Sequence, residues 1–179
     1  RSTLFPYTTL FRSDYARDMF LFSFYTRGMS FIDMAYLKKS DLKNGTITYR
    51  RRKTGQQLTV KWEKCMEDII AKYGENTATR YLLPIITNPC SDERTQYRNA
   101  ICRINVALKE VAGLAGLNIP LTMHVARHCW ASVAKSKNIP LSVISEGMGH
   151  DSEETTRIYL ASLDTSVVDK ANSLILKDF

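Results

Sequence analysis

The sequence lacks the features that mark several large classes of protein. No stretch approaches about 18 consecutive apolar residues, which excludes a membrane-spanning helix. The four cysteines are scattered without a Cys-x-x-Cys pair, so they predict reduced thiols in an intracellular protein rather than a disulfide framework. Internal repeats and low-complexity segments are also absent. The 179 residues therefore predict one ordinary folded domain.

Acidic residues are too few to balance the basic ones. Lysine and arginine number 25 against 18 aspartates and glutamates, which gives a net charge of +7 and an isoelectric point near 9.3. The apolar share of 44% and the charged share of 24% are ordinary for a globular protein and argue against long disorder. The basic surplus favours a polyanionic partner, nucleic acid before membrane.

The first 13 residues contain no acidic residue and resemble translated adaptor or vector sequence. Pro6 and three threonines interrupt their apolar run, which argues against a signal peptide. We therefore predict that residues 1–13 are not native and that the protein proper begins near Asp14, as part of a longer chain. Without Arg1 and Arg12, 23 basic residues face 18 acidic ones, a surplus of five.

Apolar periodicity predicts a mainly α-helical domain with one small antiparallel sheet. Two β-rich segments, residues 46–51 and 57–62, flank a glycine-containing turn at residues 52–56 and predict a β-hairpin. Asn44-Gly45 predicts a further turn just before it. Helices are predicted around residues 14–26, 31–37, 63–72, 92–112, 123–135, 141–146, 152–160 and 165–174.

The predicted hairpin is strongly basic. Residues 38–61 contain eight lysines and arginines against one acidic residue, Asp41. A basic finger of this kind fits against a phosphate backbone, although a solvated basic loop is the ordinary alternative. The side chains expected to contact nucleic acid are Lys38, Lys39, Arg51, Arg52 and Lys53.

Two further motifs carry residue types suited to phosphate chemistry. His124 and Arg127 are three residues apart, so a helix places both on one face, where they can reach the same anion. His150 follows Gly-Met-Gly in a predicted turn, and Tyr159 lies nine residues later on the next helix. A phenol is a poor nucleophile unless cations or a base help it to ionise. Taken singly, these residues also fit a polar helix face and an ordinary aromatic.

Taken in order, the motifs resemble the signature of the tyrosine recombinases, the phage integrase family. His-x-x-Arg, a gap of about twenty residues, Gly-x-Gly-His and a tyrosine nine residues later follow a Lys-Thr-Gly hairpin similar to the one that carries the family's catalytic lysine. The resemblance covers about residues 14–179. It implies the mainly α catalytic-domain fold, with its small antiparallel sheet, of a site-specific DNA recombinase from a mobile genetic element.

The resemblance also implies roles for individual residues. Tyr159 would attack the scissile phosphate, which leaves a 3′-phosphotyrosyl bond and a free 5′-hydroxyl without any metal or cofactor. Arg127 and His150 would bind the phosphate, and the Arg127 guanidinium would face that phosphate rather than the core. His124 would accept a proton or a hydrogen bond, and Lys53 would be the general acid toward the leaving 5′-oxygen.

The partner implied by the resemblance is double-stranded DNA. Full-length family members act as tetramers on recombination sites in the bacterial cytoplasm, with accessory DNA-bending or excisionase proteins and no membrane partner. Family members also carry an N-terminal core-binding domain that closes around DNA. Residues 1–13 leave no room for it, so we expect residues 14–179 to be the catalytic domain alone.

One family residue is missing. The family's second helix usually begins with an arginine in a Gly-Leu-Arg-x-x-Glu/Asp context, and here the stretch reads Gly-Met-Ser-Phe-Ile-Asp at residues 28–33. Ser30 therefore replaces the arginine and is predicted to cap the helix, with Asp33 as its capping-box partner. Arg27, across the Gly28 bend, could supply the missing guanidinium. Some mobile-element integrases resemble this chain in lacking that arginine.

Three alternatives stay open at this point. A catalytically impaired DNA-binding fragment of the same fold is favoured by Ser30. A metal hydrolase could use His124 and His128 with Cys129 or His150, but Val125 stands where the His-Glu-x-x-His motif has its glutamate. A type IB topoisomerase would use similar chemistry, but the glycine–histidine turn resembles recombinases instead.

The basic surplus predicts DNA binding that is weak and salt-dependent. In the absence of a clamp domain we expect a dissociation constant of roughly 10⁻⁴ to 10⁻⁶ M at physiological salt. Fluorescence anisotropy with labelled duplex DNA, at about 50 and about 200 mM salt, should show a steep loss of affinity. Nanomolar, site-specific binding that is indifferent to salt contradicts this prediction.

Overall fold

Helices make up most of the structure, a computed structural model that describes residues 5–74 and 78–161, with side chains from residue 13 onward. The mainly α architecture with one small antiparallel sheet is confirmed. The described elements are α1 (Phe5–Tyr25), α2 (Phe31–Ala35), a 3₁₀ helix (Lys39–Asp41), β1 (Leu42–Lys43), β2 (Thr46–Arg50), β3 (Gln57–Lys61), α3 (Lys64–Tyr73), α4 (Glu93–Leu114), α5 (Met123–Ser136), α6 (Leu141–Met148) and α7 (Glu153–Ala161).

Most observed boundaries lie close to the predicted ones. The largest difference is at α1, which begins at Phe5 rather than at residue 14. The predicted helix over residues 165–174 lies outside the described residues. Across the described part of the chain, no helix combines the length and apolar character that crossing a lipid bilayer requires.

Two compact units divide the chain, Arg1–Trp130 and Ala131–Phe179, and the boundary falls within α5. In the first unit, apolar side chains from α1, the sheet and α4 form the core, which removes them from water. Its fully buried members include Met19, Phe22, Ile47 and Leu108. In the second unit, α6 and α7 bury Ile144, Met148 and Leu160.

The sheet has the strand order β1-β2-β3, and neighbouring strands are antiparallel. Asn44 and Gly45 join β1 to β2 with φ angles of 50° and 71°. Two consecutive left-handed residues match the twist of a hairpin, which is why an Asn-Gly pair stands here. The predicted hairpin is confirmed, because β2 pairs with β3 from Thr46 opposite Lys61 to Arg50 opposite Gln57.

A carboxylate ties the start of α2 to the turn of this hairpin. Ser30 caps α2, as predicted: its Oγ accepts a hydrogen bond from the Asp33 amide at 3.4 Å and donates to Asp33 Oδ2 at 2.6 Å. The other oxygen, Asp33 Oδ1, accepts a hydrogen bond from the Arg52 amide at 2.8 Å. Asp33 is buried, so the polar groups at the helix start and in the hairpin turn satisfy one another.

A second buried carboxylate joins α1 to α3. Asp18 is 4% exposed and accepts hydrogen bonds from Arg17, from Lys72 Nζ at 2.6 Å and from the Tyr73 hydroxyl at 2.6 Å. Burial alone raises a carboxyl pKa, but the hydrogen bonds from Lys72, Tyr73 and Arg17 outweigh it and lower the pKa of Asp18. The ionised carboxylate therefore stabilises the packing of α1 on α3.

The variant Asp18→Asn should lower the free energy of unfolding at pH 7 by about 1–3 kcal/mol, because it weakens three charge-assisted hydrogen bonds. A lowered folded-state pKa stabilises the protein above the unfolded-state pKa, about 3.9, and that stabilisation is lost as pH falls through the folded-state value. Urea unfolding at pH 7 and at about pH 3 should show the difference between parent and variant shrinking in acid.

The matched control is Asp68→Asn, which removes an exposed carboxylate of α3 paired with Lys64 at 3.0 Å. It should change stability by about 0–1 kcal/mol. A difference between parent and Asp18→Asn that is constant with pH would show that the ionised carboxylate is not what stabilises this contact.

Candidate functional site

The His-x-x-Arg motif lies at the start of α5. His124 is exposed, whereas Arg127 is only 7% exposed and donates from Nη1 to the Gly28 carbonyl at 2.8 Å. Arg127 is therefore more enclosed than expected for a guanidinium that faces away from the core, and its role toward a phosphate stays a prediction. Packing explains the burial, because α5 lies directly against the bend at Gly28 that follows α1.

Gly28 makes that close approach possible. Its φ angle is 73°, in the left-handed region that favours glycine. A Cβ atom at this position would lie 2.8 Å from Arg127 Cγ and 2.9 Å from Arg127 Cα, closer than real Cβ contacts. The residue therefore meets two requirements at once, a left-handed bend and the absence of a side chain. Together they hold the Arg127 side chain in one place.

Lys53 is brought to the same part of the first unit as the α5 motif. The lysine is exposed at the hairpin tip, where the Gly55 amide donates to the Arg51 carbonyl at 2.8 Å and closes the turn. Partial desolvation of the ring by its neighbours, followed by the positive charges of Arg127 and Lys53, lowers the pKa of His124. The imidazole is therefore neutral at pH 7 and able to accept a proton. Residues far apart in sequence thus share one electrostatic environment.

The basic residues predicted to contact nucleic acid separate into two groups. Lys38, Arg52 and Lys53 are exposed, and Lys39 is half-buried. The Arg52 guanidinium lies 3.9 Å above the ring of Tyr36, which holds it on the surface. Arg51 differs, because it is only 7% exposed and so does not belong to the exposed basic surface.

Three arginines act electrostatically on the buried phenol of Tyr49. Burial and the charge of Asp33 raise the pKa of the Tyr49 phenol, while Arg51, Arg127 and Arg27 act in the opposite direction. Arg27 is half-buried and has a φ of 61°, an unusual conformation for a residue other than glycine. Sequence analysis selected Arg27 and Arg127 for catalysis, but it did not foresee that Arg51 would join them.

In the second unit, His150 and Tyr159 lie against each other. Gly149 ends α6 with a φ of 64°, and the His150 amide donates to the Ser145 carbonyl at 3.0 Å. The rings of His150 and Tyr159 are 5.6 Å apart at an angle of 69°. The predicted turn and the predicted tyrosine helix thus bring together two of the candidate site residues.

Thr156 is a site residue that sequence analysis missed. Its Oγ1 lies 2.7 Å from His150 Nδ1, so the two groups share a hydrogen bond that fixes the orientation of the imidazole. Thr156 is fully buried and lies three residues before Tyr159 on α7. That spacing places both residues on one face of the helix, and it is the signal that could have identified Thr156.

The geometry of the histidines does not form a metal centre. The rings of His124 and His128 are 4.4 Å apart and nearly perpendicular. Burial, together with the charges of His124 and Arg127, lowers the pKa of His128. Within the part of the chain that the structure describes, no group of three or more His, Cys, Asp or Glu side chains is arranged to hold a metal ion.

Comparison with known proteins gives consistent results. Residues 8–166 match the sequence model described as "Phage integrase family". No curated protein matches the sequence. The structure is similar to that of the XerA recombinase, with a TM-score of 0.58 and 20% identity over 90% of this chain and 61% of that chain.

Two similar structures are complexes with DNA sites. One is the XerH site-specific recombinase bound to palindromic difH substrate in a post-cleavage complex, with a TM-score of 0.62 and 21% identity over 88% of this chain and 45% of that chain. The other is a lambda integrase (75-356) dimer bound to a COC′ core site, with a TM-score of 0.57 and 17% identity over 86% of this chain and 56% of that chain. This chain thus spans 45–61% of the length of the three recombinases.

The contact between Gly28 and Arg127 predicts a large effect of a small substitution. Gly28→Ala should destabilise the protein by about 1–3 kcal/mol or more, because the added methyl group meets the α5 backbone and the φ is unfavourable. Urea unfolding measures the change.

Gly45→Ala is the matched control, because Gly45 has a φ of 71° but no atom within 4 Å of an added Cβ. The cost of Gly45→Ala reports the left-handed backbone alone. The excess cost of Gly28→Ala then reports the steric contact with Arg127, and equal costs would mean that α5 moves aside freely.

Proposed function

The chain belongs to the phage integrase family, and on that premise we propose that residues 14–179 are the catalytic domain of a tyrosine recombinase that cuts and rejoins DNA strands. The observation that carries the proposal is the packing of the His150 ring against the Tyr159 ring, with centroids 5.6 Å apart, on the turn and helix of the family's signature. The electrostatic effect of Lys53 and Arg127 on His124 supports it, because these residues come from two motifs remote in sequence and the family's chemistry requires them near one phosphate. In the same proposal residues 1–13 are adaptor-derived, although α1 runs through this boundary.

Double-stranded DNA is the proposed partner. The XerH and lambda integrase structures are complexes with a difH substrate and a core site. In this chain the exposed side chains of Lys38, Arg52 and Lys53 offer positive charge on the sheet side of the first unit. Such contacts position a phosphate backbone without reading its sequence. Tetramers on recombination sites, accessory DNA-bending or excisionase proteins and a bacterial cytoplasmic setting are proposed for the full-length protein.

The proposed reaction is a transesterification at phosphorus. The Tyr159 oxygen forms a bond to phosphorus while the bond to the 5′-oxygen breaks, which leaves a 3′-phosphotyrosyl link. Neutral His124 accepts the phenol proton, and Lys53 donates a proton to the leaving 5′-oxygen. A 5′-hydroxyl of a partner strand reverses the steps, so bond energy is conserved.

Charge on the non-bridging oxygens must be neutralised during this reaction. We assign Arg127 and His150 to that task. Arg127 is held in advance by the Gly28 carbonyl, and His150 is oriented by Thr156, so neither side chain has to be ordered in the transition state. Arg27 is a candidate for a further cation near Arg127.

A DNA-binding fragment without catalytic activity is the second candidate. The observation that favours it is Ser30, which occupies the position of a family arginine and is engaged in capping α2. Such a fragment would bind DNA as predicted from the charge but would form no covalent bond to it.

Tyr159→Phe distinguishes the two functions. The chain is incubated with a nicked suicide DNA substrate, and the covalent adduct that resists SDS is measured. The substitution keeps the ring and removes the attacking oxygen, so it should abolish the adduct while changing stability by only about 1 kcal/mol.

The matched control is Tyr97→Phe, whose ring stacks on Phe31 with centroids 5.8 Å apart on the α2–α4 side of the first unit. It removes a phenol oxygen remote in sequence from the tyrosine helix and should leave the adduct intact. An adduct that persists in Tyr159→Phe and maps to another residue contradicts the proposal. A parent chain that binds DNA but forms no adduct supports the fragment without activity.

A further inference from the structure

Arg127 and the segment that carries Arg51 are both hydrogen-bonded to residues 28–33, at the start of α2. Arg127 Nη1 donates to the Gly28 carbonyl at 2.8 Å, and the amide that follows Arg51 donates to Asp33 Oδ1 at 2.8 Å. Arg27, Arg51 and Arg127 also act electrostatically on the Tyr49 phenol, and Asp33 is the carboxylate that acts on it. Positive charge gathered in a partly buried place favours the binding of an anion. The proposed function uses Arg127 there, and for the cation that the family places at the Ser30 position it names only Arg27, as a candidate.

Strand alternation directs Arg51 to the buried side of β2. In β2, Ile47 and Tyr49 are buried, and the same alternation continues to Arg51 just beyond the strand. The side chains on either side of Arg51 in the sequence are exposed instead. Arg50 donates to the Gly55 carbonyl at 2.8 Å, and Arg52 stacks on Tyr36. Arg51 and Arg127 have the same exposure, 7%, so they are equally shielded from solvent.

The backbone next to Arg51 is fastened beside Ser30. One oxygen of the Asp33 carboxylate binds the Ser30 hydroxyl at 2.6 Å, and the other accepts the Arg52 amide at 2.8 Å. The Asp33 carboxylate therefore links the peptide between residues 51 and 52 directly to Ser30, the residue that stands at the position of the family's arginine. The Arg51 amide also donates to the Gln56 carbonyl at 2.8 Å, which closes the hairpin turn.

From these three observations we infer that Arg51 supplies the second guanidinium for the scissile phosphate, beside Arg127 and in place of the arginine missing at Ser30. The inference rests on the proposed function. A guanidinium offers a forked pair of N–H donors that match two phosphate oxygens and stays charged throughout the reaction. Arg51 thus neutralises a non-bridging oxygen and takes no part in proton transfer.

The test measures the rate of adduct formation by Arg51→Gln on the suicide substrate. We expect a loss on the order of 100- to 1,000-fold, the usual cost of removing one preorganised donor from a charged transition state. DNA affinity should change much less, because a contact made mainly in the transition state affects rate before binding. A rate within about threefold of the parent overturns the inference.

Arg50→Gln is the matched control. It removes the same charge one residue earlier, from the other side of β2, and also removes the hydrogen bond to Gly55. If it slows the reaction as much as Arg51→Gln, the effect comes from a distorted hairpin or from bulk charge, and the inference is wrong. Arg27→Gln tests the competing assignment, because a large loss there with a small loss in Arg51→Gln overturns the inference in favour of Arg27.

A neutral substrate separates charge neutralisation from misfolding. Replacing one non-bridging oxygen of the scissile phosphate by a methyl group removes the charge that Arg51 is proposed to bind. With one of the two methylphosphonate stereoisomers, Arg51→Gln should come within about tenfold of the parent, since the lost interaction is no longer needed. A misfolded variant would not recover, and a gap that stays unchanged with both stereoisomers overturns the inference.

Failure of the inference can be told apart from failure of the proposed function. If Tyr159→Phe abolishes the adduct and Arg51→Gln does not slow it, only the assignment of Arg51 is wrong. If the adduct survives in Tyr159→Phe, the proposed reaction itself is wrong.

Discussion

The bend at Gly28 that follows α1 touches the backbone of α5, and the position of Arg127 depends on that contact. The bend has a φ of 73°, and its carbonyl accepts the hydrogen bond from the Arg127 guanidinium. Any side chain at residue 28 would push α5 away, and His124 lies on the same helix. One residue without a side chain thus sets the location of two candidate site residues from a different part of the chain.

Asp33 has the corresponding role for the hairpin. Its carboxylate joins Ser30 to the Arg52 amide, so the capping of α2 and the placement of the hairpin turn are one interaction. A buried carboxylate that accepts hydrogen bonds on both oxygens avoids the desolvation penalty of an unpaired charge. Because Arg51 and Lys53 flank Arg52 in this turn, both are positioned from the same anchor.

The positive charges near Tyr49 and His124 are unfavourable for the free protein but favourable for binding a phosphate. Arg27, Arg51 and Arg127 act on one buried phenol, and desolvation followed by the charges of Arg127 and Lys53 lowers the pKa of His124. Cations brought together in this way repel one another in the protein alone, and the repulsion is relieved when a polyanion binds. The same cations add to desolvation in keeping the imidazole neutral at pH 7, as a proton acceptor must be. A feature that is unfavourable for folding is therefore suited to phosphate chemistry.

The sequence by itself determined the features that have local causes. Ser30 caps α2 and Asn44-Gly45 forms a tight turn because each depends on the conformation of a few adjacent residues. The order and spacing of the motifs likewise indicated the family. Only the tertiary structure decided that Arg51 and Arg127 are buried and that Thr156 orients His150. For the two arginines the reason is that burial depends on partners remote in sequence, which the pattern of either segment does not contain. Thr156 and His150 are only six residues apart, but their hydrogen bond forms because the turn after α6 directs the imidazole toward α7. The spacing of the two residues in the sequence does not reveal that direction.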